Sequence, residues 1–189
     1  EPDVLDHVPP QTPFMFERGL FPLLLEMGDP VYSYPSDVYW MDMGTTEKYL
    51  KLNYDLLNGK AAIRFSDRTT DTGLWIEGSC SIDPTAKIEG SVMIGDGCII
   101  GKNAELKGPA VIGAGCKILP HAVIDGAILW QNVQVGQHAI LRHCIVADNS
   151  VIGDDSYIGD NSVLSDNVIV LKGSRLEPGS RIWPGTRVE

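Results

Sequence analysis

The sequence is short of cysteine, of basic residues and of long apolar runs, and each shortage removes a class of protein. Four cysteines in 189 residues, none in a Cys-x-x-Cys pair, leave neither the disulfide framework of a small secreted domain nor a zinc-knuckle spacing. Lys and Arg number 15 against 25 Asp and Glu, a net charge of −10 with no basic run. Sequence-independent binding to nucleic acid or to an anionic membrane needs a basic face to release counterions, so neither partner is expected. No apolar run approaches the ~20 residues that span a bilayer, and EPDVLDHVPP at the start lacks the basic head and apolar middle of a signal peptide. A cytoplasmic setting is therefore expected. No Gly-x-Ser-x-Gly elbow is present, which removes a triad hydrolase of that kind. An initiator Met is also missing, and the expectation is a piece of a longer polypeptide.

What is present from residue 76 onward is a repeat. Stepping by six from Ile76 gives Ile82, Ile88, Ile94, Ile100, Leu106, Ile112 and Ile118, and stepping by six from Ile140 gives Val146, Ile152, Ile158, Leu164, Val170, Leu176 and Ile182. Four residues after each stands a small residue, among them Cys80, Cys98, Ala104, Cys116, Ser150 and Ser162. Gly often follows the aliphatic residue, and Asp-Asn, Asp-Gly or Pro-Gly pairs fill the turn slots. An aliphatic residue, a tight turn and a small residue at period six describe a hexapeptide parallel β-helix, three short strands to a coil. The 16-residue gap between Ile124 and Ile140 is not a multiple of six, so a distorted corner or loop is expected around Trp130-Gln131-Asn132. The spacing of 18 stacks Cys80, Cys98 and Cys116 in one column. A reducing compartment, and a slot elsewhere filled by Ala or Ser, favour free, partly buried thiols over a disulfide ladder.

Residues 1–60 have another grammar. Pro22, then Leu-Leu-Leu-Glu-Met and Gly28, reads as a helix with Pro in its first turn and Gly just past its end. Val31 to Tyr34 and Val38 to Met41 read as two short strands, with Tyr32, Tyr34, Tyr39 and Trp40 packed against a neighbouring helix. Thr45 to Asn58 carries Tyr49, Leu50, Asn53, Tyr54 and Leu57 at helical spacing. The segment is too short for a core of its own. The organisation expected is an incomplete α/β segment over 1–60, a linker over 61–75 and a β-helix over 76–189, mainly β overall. Taken alone, Asp42 in YWMDMGTTEKYL reads as a cap of the helix that starts near Thr45.

The stretch FERGLFPLLLEMGDPVYSYPSDVYWMDMGTTEKYL resembles the closing segment of the sugar-1-phosphate nucleotidyltransferases, in which a helix led by Phe-Pro, a hairpin and a Trp-x-Asp-x-Gly-Thr turn precede a final helix. A left-handed hexapeptide β-helix after that segment is similar to the mannose-1-phosphate guanylyltransferase and glucose-1-phosphate thymidylyltransferase branches. The resemblance implies transfer of a nucleotidyl group from a nucleoside triphosphate to a sugar 1-phosphate, releasing pyrophosphate. GTP with mannose 1-phosphate leads, giving GDP-mannose, and glucose 1-phosphate with dTTP or UTP comes next. It also implies Asp42 as catalytic metal ligand, holding Mg²⁺ at the phosphates. The β-helix would serve homo-oligomeric assembly and regulation. The family's Gly-rich loop followed by Thr-Arg, its second metal-binding Asp and its sugar-contacting Glu-Lys have no counterpart in these 189 residues, so the segment by itself is expected to be inactive. Pro184-Gly185-Thr186-Arg187 is in register with the hexad at Ile182 and reads as a solenoid turn.

Two other readings use the same solenoid. A hexapeptide acyltransferase acting on an amino-sugar phosphate would take His121, His138 or His143 as its general base. The spacing of His138 and His143, with His121 about one coil earlier, also resembles the metal-binding histidines of gamma-class carbonic anhydrases. An oligomerising scaffold without chemistry is the third possibility.

Overall fold

The structure, a computed structural model, describes residues 2–61 and 73–189, and most of the stretch expected as a linker lies outside the described residues. The chain divides into two compact units, Glu1–Val38 and Tyr39–Glu189.

In the first unit a 3-10 turn (Pro2–His7) and a π-helical turn (Phe16–Leu20) precede helix α1 (Phe21–Met27). Pro22 sits in the first turn, where its missing N–H would be unpaired in any case, and Gly28 ends the helix at φ 80°, a conformation Gly adopts without a Cβ clash. The strands expected at Val31–Tyr34 and Val38–Met41 do not form. A lone two-stranded hairpin is marginal in water without a third strand or a covering layer. The aromatics do not pack as expected either, since Tyr32, Tyr34 and Trp40 are 80 to 93% exposed.

The second unit is a parallel β-helix with three faces and one helix, α2 (Thr46–Leu57), laid along it. Face A has seven strands from Leu74–Ile76 to Arg181–Ile182, face B seven from Ser81–Ile82 to Arg187–Val188, and face C six from Lys87–Glu89 to Arg175–Leu176. Each strand pairs in register with the strands one coil before and after it. The hexad aliphatics point inward and are almost wholly buried from Ile94 to Leu176. The small residue of each hexad fills a corner, and at Cys80, Cys98, Cys116, Ser150, Ser156 and Ser162 its heteroatom finds a carbonyl on the next coil. The Cys98 thiol donates to the Gly113 carbonyl oxygen at 3.1 Å, and the Ser156 hydroxyl donates likewise to Leu171 at 2.8 Å. Cys80, Cys98, Cys116 and Cys144 are free thiols; of the stacked three, Cys80 is partly buried as expected and Cys98 and Cys116 are wholly buried. Gly after the aliphatic is a matter of space: a Cβ on Gly113 would stand 2.5 Å from the Trp130 carbonyl oxygen. Pro184-Gly185 is a turn between the last strands of faces A and B.

The phase slip has a different form from the one expected. The inward residue advances by six except at two steps of five, Ile124 to Leu129 and Leu141 to Val146. The inward residue at the start of the second series is therefore Leu141, wholly buried, and Ile140 faces out, 37% exposed. No loop is extruded, and Trp130-Gln131-Asn132 is an ordinary turn with Asn132 at φ 57°. Both shortened steps fall at the corner between faces C and A in adjacent coils, and they stack: the His143 amide donates to the Asp125 carbonyl oxygen at 2.7 Å. Stacked in adjacent coils, the two shortened turns leave two mismatched boundaries where two separate ones would leave four.

Helix α2 takes its place from the outer column of face A. Trp75, Met93, Val111, Ile128, Ile145 and Val163 occupy that column in order, an apolar stripe on the outside of the solenoid. Leu50 buries against Ile128 and Ile145, with Tyr49, Tyr54, Val111 and Val163 around them. The N-terminus of α2 lies at Arg181, Tyr54 at Gly126 and Asn58 at Ser91, so the helix runs back along the face against the order of the coils. The helix read as the close of the first segment lies in the same compact unit as the solenoid.

Candidate functional site

The turn before α2 carries Asp42. Its expected role as helix cap is taken by Thr45, whose side-chain oxygen accepts the Lys48 amide at 3.3 Å. Asp42 is left with its side chain 67% exposed, and its carboxylate lies 3.8 Å from Lys48 Nζ. Trp40 and Met43 beside it are exposed as well, so the lone acid stands at the surface and not in a core. An exposed carboxylate with unused lone pairs fits one position in the shell of a hard cation such as Mg²⁺, which takes one or two carboxylates and fills the rest with water and phosphate oxygen. Among the described residues no group of three or more His, Cys, Asp or Glu side chains is placed to hold a metal ion.

Two grooves flank α2 on face A. One, of about 420 Å³, lies at the helix N-terminus between Met43, Thr46 and Tyr49 on one side and Trp130, Ile145 and Val163 on the other. Its walls are almost entirely apolar. The second, of about 510 Å³, is mixed in character and is lined by Glu47, Leu50, Lys51 and Tyr54 from the helix and by Arg142, His143 and Asp160 from the solenoid. There His143 Nδ1 lies 2.9 Å from Asp160 Oδ1, and the Tyr54 ring stands edge-on to the imidazole. The Tyr54 hydroxyl donates to the Gly126 carbonyl oxygen at the first shortened corner, and burial pushes its phenol well above the ordinary value.

The three candidate histidines do not converge. His121 and His138 occupy the same corner in adjacent coils, with φ 64° and 59° and rings stacked 4.8 Å apart. His143 sits at another corner with φ 37°. All three fill the left-handed turn slot that Asn161, Asn167 and Asp155 fill elsewhere, a conformation that Asn, Asp and His tolerate better than most side chains. The metal trio of the carbonic anhydrase reading is not assembled by this geometry. Among the described residues, His143 alone of the three has a carboxylate partner of the kind that orients a general base.

Sequence reasoning missed two groups. Asp55 is 3% exposed beneath Tyr39, Lys51 and Lys60: Tyr39 Oη donates to it at 3.0 Å, Lys60 Nζ lies at 2.8 Å, and Lys51 also bonds it. The Lys51 and Lys60 hydrogen bonds hold its carboxyl well below the usual carboxylate range. The contribution of a depressed carboxyl is present above the unfolded value, about 3.9, and is lost as the pH falls through the lower folded value. Asp55→Asn is therefore expected to flatten the loss of thermal stability below about pH 4. Melting curves from pH 7 to pH 2 with the same acid slope in both proteins would overturn this. The second group is Arg181, treated below. For Asp55 the i,i+4 spacing of Lys51 was a local signal in the sequence, whereas Arg181 has none and its role shows only once the chain is folded.

The described residues contain no helix long and apolar enough to cross a membrane. Residues 72–176 match the family model described as the EIF2B subunit epsilon LbH domain. The chain is 29% identical over 136 residues to a mannose-1-phosphate guanylyltransferase of Mycobacterium tuberculosis, covering 71% of this chain and 33% of that protein. It is 34% identical over 59 residues to a glucose-1-phosphate adenylyltransferase of Bacillus thuringiensis, covering 31% of this chain and 16% of that protein. The chain thus spans a third or less of the length of these curated relatives. Among solved structures, PerB from Caulobacter crescentus, in complex with CoA and GDP-perosamine, overlaps 59% of this chain and 52% of its own at 18% identity and TM-score 0.45. A likeness at that level says nothing about chemistry.

Proposed function

The chain belongs to the family of the EIF2B subunit epsilon LbH domain, and from that premise we propose that it is the left-handed β-helix portion of a sugar-1-phosphate nucleotidyltransferase, joined to the final turn and helix of the catalytic domain. The reaction is transfer of a nucleotidyl group from a nucleoside triphosphate to a sugar 1-phosphate with release of pyrophosphate. GTP and mannose 1-phosphate are the leading pair, because a relative overlapping 71% of the chain bears that activity in its name. The setting is the cytoplasm, the assembly a homo-oligomer through the solenoid, and this portion alone turns over little.

The observation that carries the reading is the Asp42 turn itself. Thr45 caps α2, which leaves the Asp42 carboxylate exposed on the last turn before a helix fastened to the solenoid. Asp42 would be one ligand of Mg²⁺, which when bound neutralises phosphate charge during an in-line displacement at the α-phosphorus. Lys48 Nζ, 3.8 Å from that carboxylate, would add a cation beside the site. In the complete polypeptide, Asp42→Asn is expected to lower pyrophosphate release from GTP and mannose 1-phosphate about tenfold or more, a loss of ~1.4 kcal/mol or more of transition-state stabilisation. Unchanged turnover would sink this reading and pass the weight to acyl transfer with His143, held by Asp160, as base.

A further inference from the structure

The outer column of face A is apolar for six coils under α2 and then ends on a cation, Arg181. The Arg181 guanidinium is held from the solenoid side by backbone. NH1 donates to the carbonyl oxygens of Asn161, Gly179 at 3.1 Å and Ser180 at 3.3 Å. That leaves NH2 directed at the first turn of α2, where it donates to Thr46 Oγ1 at 3.1 Å and Glu47 Oε1 at 3.3 Å. A cation at a helix N-terminus is unfavourable against the helix dipole unless an acid offsets it. Glu47 does so, its carboxyl lowered by its own backbone amide first, by Thr45 and then by Arg181. A rigid fork set by three carbonyls and spent on two adjacent helix residues is a clamp on that turn.

The clamped turn directly follows the one that carries Asp42. Thr46 and Glu47 stand beside Thr45, the cap, and Lys48 of the same turn reaches back to the Asp42 carboxylate at 3.8 Å. We infer that Arg181 is a positioning residue for Asp42, through which the penultimate strand of the solenoid sets the turn that presents the metal-binding carboxylate. The inference rests on the nucleotidyl-transfer reading above. It gives the β-helix a part in the chemistry that assembly alone would not.

The test uses the complete polypeptide and compares Arg181→Ala, Arg181→Lys and Asp42→Asn. Manganese binding followed by electron paramagnetic resonance, the Mg²⁺ dependence of pyrophosphate release and hydrogen exchange at the Thr46–Tyr49 amides are read together. Arg181→Ala is expected to weaken Mn²⁺ binding and raise the half-saturating Mg²⁺ concentration by about fivefold, the size of one exposed charge-assisted contact. It should also quicken exchange in that turn and affect half-saturation more than kcat. Arg181→Lys, which keeps the charge opposite Glu47 and loses the fork, is expected to recover part of the metal affinity. Faster exchange with unchanged Mn²⁺ and Mg²⁺ dependence would make Arg181 a structural tie only, and unchanged exchange would remove the clamp. Either result overturns the inference while Asp42→Asn still lowers turnover. Full turnover by Asp42→Asn is a separate failure, that of the nucleotidyl-transfer reading, and would take the inference with it.

Discussion

Leu141→Ala is expected to destabilise the solenoid by about 3 kcal/mol, and Ile140→Ala by no more than a few tenths. The two are neighbours in sequence and both aliphatic, yet one is wholly buried and the other 37% exposed. Leu141 lies between Ile124 and Ile158 in the stacked column of face C. Its truncation leaves a void that the coils above and below cannot close, since their backbones are tied in register on both sides. In a chain of this length about 3 kcal/mol amounts to a lowering of the melting temperature by roughly 6 to 12 °C. The pair of variants reads the register directly. If Ile140→Ala proved the costlier change, the uninterrupted six-residue step from Ile140 would be right and the two five-residue corners wrong.

Ile128→Asp is expected to detach α2 from face A while leaving the coils assembled. Ile128 is on the outside of the solenoid, yet only 1% exposed, because Leu50 and its neighbours cover it. An ionised carboxylate there would be buried among Leu50, Ile145, Val111 and Val163, and the penalty of burying it unpaired is about 3 to 5 kcal/mol, avoided if the helix leaves. A detached helix of 12 residues is marginal in water, so α2 is expected to melt when it lifts off. Hydrogen exchange should quicken across Thr46–Leu57 and remain slow in strands such as Ala110–Ile112, and in the complete polypeptide turnover should fall with it. Protection of α2 equal to that of the wild-type protein would mean that face A does not hold the helix. The interior column and the outer column thus answer different questions. Leu141 tests how the solenoid is wound, and Ile128 tests what the solenoid carries.

The winding was legible because period six, with an aliphatic and a small residue at fixed offsets, leaves few ways to bury the chain. Where it misled, at Ile140, two aliphatic residues stand side by side, and hydrophobicity alone does not say which of them turns inward. The hairpin expected across Val31 to Met41 shows a related weakness: alternation describes a strand that could be half-buried, and burial depends on a sheet the sequence segment does not itself provide. Helix ends read better. Pro22 and Gly28 bound α1, and Thr45 and Asn58 bound α2, because capping is satisfied within a few residues of chain.

The candidate site divides along the same line. Asp42 stood out in sequence as an acid among Trp40, Met41 and Met43, and a carboxylate three residues before a helical turn allows either a cap or a ligand. Only the fold decided that Thr45 takes the cap and leaves Asp42 exposed. Arg181 and Thr46 are far apart in sequence and share no motif. Their contact exists because seven coils of nearly constant length bring residue 181 onto the face that α2 covers. By itself the sequence determined the β-helix and the extents of α1 and α2 along the chain, all of which follow from short-range spacing. Which aliphatic faces inward at Leu141, where α2 lies, and what holds the Asp42 turn were decided by tertiary structure, since each depends on residues brought together by the stacking of coils about 4.8 Å apart.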